Sequence, residues 1–318
     1  MKFSRRKLLV GGGLFLGAGA AGFTYRRHMA ASSSRKLLLT SVDEIPPAGA
    51  SLDFLVTGDS GQDSTDRKEV VEAMVRSHEA SPAAFLMLTG DNVYPAGIET
   101  ADDPAMKLHI EDAFAPLITD MPIYPCLGNH DHYGNPDAQV EYAKSHAFWK
   151  LPSRYHSFTK PVSTESQAEF FVLDTSPIRE LQFSQLRHPD QVAWCEEALA
   201  RSTAQWKVAV GHHPFTSGGP KGGSSKVQWA FAPGFAEFDV DLYFAGHNHD
   251  QELIDTGSGC LQVVSGAGAA PQEVHDVDGT QFMASGGGFT RVSLREDAAW
   301  LEFVSPEETL AMYKVERV

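Results

Sequence analysis

Five short motifs constrain the fold of this chain more tightly than any average property. They read Gly58-Asp59-Ser60-Gly61, Gly90-Asp91-Asn92-Val93-Tyr94, Gly128-Asn129-His130-Asp131, Gly211-His212-His213-Pro214 and Gly246-His247-Asn248-His249, and each directly follows an apolar run. A short apolar run closed by glycine and a polar side chain is the pattern of a buried strand ending in a loop. One such motif is weak. Five in succession place aspartate, asparagine, tyrosine and histidine at the carboxyl ends of several strands, where ligands gather in open α/β sheets.

The surrounding pattern agrees. Runs at 52–57, 84–89, 123–127, 170–173, 207–210 and 241–245 predict strands. Stretches 66–78, 106–117, 137–149, 190–200 and 227–238 predict helices between them, the first capped by Ser64 or Thr65. Beyond Gln251 the chain turns β-rich, at 260–264, 289–294, 300–303 and 311–315. Alternating strands and helices with a late run of strands predict an α/β protein, a four-layer α/β/β/α sandwich, over a catalytic domain at 51–318.

Residues 32–50, polar at first and closing in Pro46-Pro47-Ala48-Gly49, read as a linker. Before them, 1–31 carry a basic start and an apolar stretch from Leu8 to Phe23. That stretch is shorter than the ~20 residues of a comfortable membrane span and reads as an export signal. Ser4-Arg5-Arg6-Lys7-Leu8-Leu9 resembles the twin-arginine signal of bacteria. The expectation is an exported bacterial protein, periplasmic or extracellular, that engages the twin-arginine export machinery. It would touch the membrane only through an uncleaved leader.

Charge narrows the partners. Lys and Arg number 26 against 41 Asp and Glu, a net charge of −15. Lys2, Arg5, Arg6, Lys7, Arg26 and Arg27 all lie in the leader, and no acid precedes Asp43. Such a surface excludes nucleic acid, whose phosphates reward a basic face. An anionic protein that handles phosphate needs a local positive field, which bound cations supply. The three cysteines, Cys126, Cys195 and Cys260, are widely spaced and read as small buried side chains, not as a disulfide framework.

The motif residues have the chemistry of a paired-metal site. A carboxylate bridges two ions well because it has two oxygens; Asp91 is the candidate bridge and Asp59 a terminal ligand. Phenolate is a hard anionic donor, so Tyr94 beside two carboxylates favours a trivalent ion such as Fe(III). Asn129, His212 and His247 are neutral donors that fit a divalent ion, and His249 returns to the ferric side. Residues two apart in a tight loop can diverge toward adjacent metals, whereas on a strand they would share a face.

Together the five motifs resemble those of the purple acid phosphatases, a branch of the calcineurin-like metallophosphoesterases, and most nearly the small tartrate-resistant (type 5) acid phosphatases. The likeness runs from Leu52 to the end, through 128–139 with Tyr142, 148–155, Leu173-Asp174-Thr175 and Ser265-Gly266-Ala267-Gly268. Other branches carry Asp-x-His in the first motif; here Ser60-Gly61 follows Asp59, and Tyr94 takes the place of that histidine. The resemblance implies Fe(III) on Asp59, Asp91, Tyr94 and His249. It implies a second divalent ion, Fe(II), Zn(II) or Mn(II), on Asp91, Asn129, His212 and His247. The implied activity is hydrolysis of small phosphate monoesters at acid pH, with metal-bound hydroxide as nucleophile. His130, adjoining Asn129, would act as general acid or hold a phosphate oxygen.

One departure stands out. The family carries a second active-site histidine in the loop after Gly-His-x-Pro, and Lys221 occupies that place within a Gly-rich loop. Lysine binds phosphate as a cation but is a poor proton donor at low pH, which predicts weaker acid assistance to poor leaving groups or a shifted substrate range. Asp131 is expected to orient a neighbouring histidine and Asp174 to be structural. His132 is a candidate for the pocket mouth, and His213 for a supporting place. His28, His78, His109, His146, His156, His188 and His275 read as structural or surface residues. The alternatives to a monoesterase are a phosphodiesterase or nucleotidase on the same centre, a scaffolding protein that lost the chemistry, and a phosphoprotein-recognising module. Retention of every ligand speaks against the second, and the acidic surface against the third.

Overall fold

The computed structural model describes residues 37–43, 46, 51–182 and 190–317. The leader, with its export motif and His28, and also His188, lie outside the described residues. In chain order the elements begin with β1 Leu37–Ser41, β2 Leu52–Thr57, α1 Thr65–Ala80, β3 Leu86–Leu88, β4 Ile123–Pro125 and α2 Pro136–Ala143. They continue with β5 His156–Pro161, β6 Gln167–Val172, α3 Thr175–Glu180, α4 Asp190–Arg201, β7 Trp206–Val210 and α5 Ser225–Glu237. After these come β8 Leu242–Ala245, β9 Gln251–Asp255, β10 Leu261–Ser265, β11 Thr280–Ala284, β12 Phe289–Leu294, β13 Ala298–Val304 and β14 Thr309–Arg317.

The strands form two seven-stranded sheets, ordered β1-β14-β13-β12-β2-β3-β4 and β11-β9-β10-β8-β7-β6-β5. Strands β2, β3 and β4 run parallel, as do β6, β7, β8 and β10. Alternation along each strand then sorts the side chains into layers. Phe54, Val56, Phe85 and Met87 of the first sheet meet Phe170, Val208, Val210 and Phe244 of the second. Phe54 stacks on Phe85 at 4.8 Å and meets Phe170 edge-on at 5.4 Å, so one aromatic cluster joins the sheets. The opposite faces are covered by helices. Leu55, Leu86 and Leu88 pack on Val70, Met74 and Tyr142, while Phe171, Ala209 and Tyr243 pack on Val192, Leu199, Phe231 and Phe235. This is the expected α/β/β/α sandwich.

Some local expectations give way. The stretch 106–117 is not one helix: Pro104–Met106 runs into a π-turn at Lys107–Glu111, and a single turn follows at Ala115–Ile118. Met106, Ile110, Phe114 and Leu117 are all buried, so the periodic face is real. The hydrogen-bond ladder beneath it is not continuous, because Asp112 N–H bonds back to Lys107 and Pro116 has no N–H to give. The stretch 137–149 is helical only to Ala143. Within the supposed linker, the Leu-rich run of β1 pairs antiparallel with β14, from Leu37 opposite Arg317 to Ser41 opposite Tyr313. An edge strand needs a neighbour with free backbone groups, and β14 provides it. Ser64 caps α1, accepting from Arg67 N–H at 3.0 Å, an arrangement worth about 1 kcal/mol. All three cysteines are buried and unpaired.

Candidate metal centre

Each motif does begin where a strand ends. Gly58 follows β2, while Gly128 and Gly90 lie shortly past β4 and β3; Gly211 follows β7 and Gly246 follows β8. The chain turns sharply there. Asp59 and Asp91 both take φ 53° and His247 takes φ 68°, left-handed values that cost a side-chain-bearing residue about 1–3 kcal/mol. Gly90 relieves the second turn at φ 97°. Gly128 is needed for proximity instead, because a methyl group there would run into the Asp91 carboxylate.

These turns bring all seven expected ligands together. Tyr94 Oη lies 2.9 Å from Asp91 Oδ2, 3.2 Å from Asp59 Oδ1 and 3.3 Å from His249 Nε2. His249 Nε2 is 3.3 Å from Asp59 Oδ1. On the other side His212 Nε2 is 3.4 Å from Asp91 Oδ2, 3.1 Å from Asn129 Oδ1 and 3.2 Å from His247 Nδ1. Asp91 Oδ2 thus faces both donor groups. His247 and His249 diverge as expected of a tight loop, one toward each group.

Carbonyls set the imidazole tautomers. His212 Nδ1–H donates to Thr89 O at 2.9 Å and His249 Nδ1–H donates to Ala270 O at 2.8 Å, which turns both Nε2 atoms inward toward the carboxylates. His130 has the same arrangement on the rim, with Nδ1–H donating to Pro95 O at 2.6 Å and its ring against Tyr94 at 4.2 Å. Its backbone N–H donates to Asp91 Oδ1 at 2.8 Å. The Lys221 ammonium donates to the main-chain carbonyl of His247, and its backbone N–H donates to Asn248 Oδ1 at 2.8 Å.

The matches to known proteins bear on this geometry. Residues 52–251 match the calcineurin-like phosphoesterase family model. Purple acid phosphatase 4 of Arabidopsis thaliana is 30% identical over 73% of this chain and 72% of its own length. Human tartrate-resistant acid phosphatase type 5 is 28% identical over 73% of this chain and 77% of its own. The chain belongs to the calcineurin-like phosphoesterases, in their purple acid phosphatase branch. Among solved structures, purple acid phosphatase PPD1 from yellow lupin superposes with TM-score 0.66 at 15% identity, covering 85% of this chain and 54% of that one. GAP50, described as the anchor in the inner membrane complex of Plasmodium, superposes with TM-score 0.76 at 23% identity over 84% and 89% of the two chains. These two likenesses show the shared fold.

In this purple acid phosphatase relative the donor set calls for positive charge. Asp59 and Asp91 are 0% and 1% exposed, and among the described residues no lysine or arginine pairs with either. Burial alone would raise the Asp91 carboxyl; the His212 ring outweighs it and holds the acid well below the usual carboxylate range. Burial opposes protonation of His212, yet Asp91 wins and pushes the imidazole up to about 9. Burial, with Asp59 and Asp91 beside it, drives the Tyr94 phenol far above its ordinary value. Burial, His212, Lys221 and Arg179 lower His247 to about 2, which keeps it a neutral donor. Buried carboxylates facing a phenol and imidazoles fit cations better than protons. Asp59, Asp91 and His212 present one atom each within 4.8 Å of one another, as do His212, His213 and His247. A separate cleft of about 350 Å³, lined by Arg76, Arg291, Glu302 and Glu307, holds none of the motif residues.

Several supporting roles differ from expectation. Among the described residues Asp131 bonds no histidine. It accepts from the backbone N–H groups of Gly128 at 2.8 Å and Asn92 at 3.1 Å, and from Gln139 Nε2 at 2.7 Å, tying the third motif to the second. Burial and the Asp91 charge raise its carboxyl to about 6. His132 pairs with Asp174 at 2.8 Å. His213 is buried against Thr175, whose Oγ1 lies 2.9 Å from its Nδ1. Arg179 on α3 stands alone behind no motif and so carries no local sequence signal, yet its Nη1 lies 3.2 Å from His247 Nε2.

Proposed function

We propose that this protein hydrolyses small phosphate monoesters below neutral pH on a pair of unlike ions. Fe(III) would be held by Asp59, Asp91, Tyr94 and His249, and Fe(II), Zn(II) or Mn(II) by Asp91, Asn129, His212 and His247. The observation that carries the reading is the single carboxylate oxygen of Asp91 facing both Tyr94 Oη and His212 Nε2, at 2.9 and 3.4 Å. When bound, the cations would supply the positive field for phosphate and lower the pKa of water. The chain's own groups do the rest. Donation from Nδ1–H to Pro95 leaves His130 Nε2 as the nitrogen that takes up the proton which it then gives to the leaving oxygen or shares with a phosphate oxygen. Lys221 adds a fixed cation beside His247. The acid phosphatase names of the plant and mammalian relatives support the monoester reading.

Two measurements test it. Aerobically purified protein should show a broad visible band that disappears in Tyr94→Phe; an active enzyme without colour would overturn the ferric assignment. Monoesters should be cleaved faster than diesters, and the reverse ratio would favour the phosphodiesterase or nucleotidase alternative. We also read the protein as exported, on the basis of Arg5 and Arg6 in the leader. Changing both to lysine should hold the enzyme in the cytoplasm, and unchanged secretion would overturn that reading.

A further inference from the structure

Buried side chains hold the main chain of the loop 215–222. Gln262 on β10 accepts from Phe215 N–H at 2.6 Å and donates to Thr216 O at 2.6 Å. Glu252 on β9 accepts from Ser217 Oγ and from Gly218 N–H at 2.8 Å. The third fastening is Asn248, fully buried between His247 and His249. Its Oδ1 accepts from Lys221 N–H at 2.8 Å, and its Nδ2 donates to Gly222 O at 2.9 Å. A side chain at Gly219 would strike Asn248, so glycine there lets the loop close on it.

The Lys221 ammonium completes the contact by donating to the carbonyl of His247. Lys221-Gly222 and His247-Asn248 are thus clasped by three hydrogen bonds, one of them charge-assisted. His247 needs such support. Its φ of 68° is left-handed, a conformation that a side-chain-bearing residue keeps only where its surroundings impose it. The same turn aims Nδ1 at His212 Nε2, 3.2 Å away, on the side assigned to the divalent ion. Lys221 is an exposed residue, yet its ammonium turns back to this main chain.

We propose that Lys221 and Asn248 are positioning residues whose clasp holds the His247 turn, so that Lys221 serves the divalent ion through its ligand and does not contact the substrate. The inference rests on the mixed-metal reading of the centre. It gives the lysine a different task from the substrate-binding one that its place in the sequence suggests. With the clasp open, the turn relaxes and Nδ1 swings away from His212, which removes a neutral donor from the divalent position. None of the three bonds touches Asp59, Asp91, Tyr94 or His249, so the ferric side should be indifferent to them.

The test uses protein loaded with iron and zinc, with Lys221→Met, Lys221→Arg and Asn248→Ala. Zinc affinity, read by competition with a chelator, should weaken about tenfold in Lys221→Met and in Asn248→Ala, and Lys221→Arg should keep most of it. Combining Lys221→Met with Asn248→Ala should weaken zinc no further than the worse single change, because the clasp is already open. The visible band of the ferric side should keep its position and intensity throughout. At saturating zinc, inorganic phosphate should bind within about twofold of wild type. Unchanged zinc affinity in Lys221→Met, with phosphate bound about tenfold more weakly, would put Lys221 on the substrate and overturn the clasp. Zinc and iron lost together would overturn it too, because the loop would then serve only the fold. A wild-type protein with no visible band, or with no activity on monoesters, would instead sink the mixed-metal function, and the zinc competition would still decide the clasp.

Discussion

The two sheets supply unlike halves of one centre. Loops after β2, β3 and β4 give only oxygen donors, Asp59, Asp91, Tyr94 and Asn129. Those after β7 and β8 give only nitrogen donors, His212, His247 and His249. Each proposed ion takes ligands from both. The halves are also electrically unlike: carboxylates stand on one side, while Arg179 and Lys221 stand on the other beside a neutral His247. The centre is therefore a product of the seam, and neither sheet alone could hold an ion pair. Bound cations should act as staples between sheets that otherwise meet through apolar side chains.

The sharpest way to break this picture is at the shared carboxylate. Asp91→Asn keeps the shape but removes the charge that both donor groups face. Phosphatase activity should fall by at least about 10³-fold, beyond the loss of a single oxyanion donor, and metal content should drop at both positions. Loss of one metal only, with the other retained at full occupancy, would show that Asp91 does not bridge.

Stapling itself is the next largest effect. Each ion present at a hundredfold excess over its Kd stabilises the folded state by about 2.7 kcal/mol. Stripping both with a chelator should lower Tm by roughly 10 °C or more, and restoring them should recover it. An unchanged Tm after verified removal would mean that the sheets need no staple.

Much of this is legible in the sequence alone, and the reason is local. A motif such as Gly-Asp or Gly-His-x-His carries its own turn, and the apolar run before it announces the strand. The four-layer order followed from the same alternation. What escaped were features that only assembly creates. Strand β9 is fully buried through Gln251, Glu252, Leu253 and Ile254, so its polar residues hid it from a search for apolar runs. Strand β5 alternates buried and exposed residues at a charged sheet edge, and β1 exists because β14 offers it a partner. Asp131 reads as a histidine's companion from its neighbours in sequence, yet its partners come from Asn92 and Gln139. Arg179 enters the centre from 68 residues before the His247 it touches, a distance no pattern spans.

The smallest effect separates histidines inside the seam from one buried outside it. His212 has a carboxylate partner and is pushed up to about 9, whereas burial lowers His156 on β5 to about 4. Its Nδ1 lies 3.3 Å from the Ser153 carbonyl, and its Nε2 finds no partner among the described residues. The unfolded chain protonates this histidine near pH 6.5 and the folded chain only near 4. Between those values the unfolded state binds more protons, so stability is full above 6.5 and falls as the pH drops toward 4. The loss should reach roughly 2–3 kcal/mol, inside the range where an acid phosphatase works. His156→Gln should therefore narrow the gap between the urea midpoints at pH 4.5 and 7, by the same amount with or without metal, because the group stands apart from the centre. The slope that remains has the same sign, since burial also lowers His247 to about 2. A gap that this substitution leaves unchanged would move the acid sensitivity from β5 back to the seam.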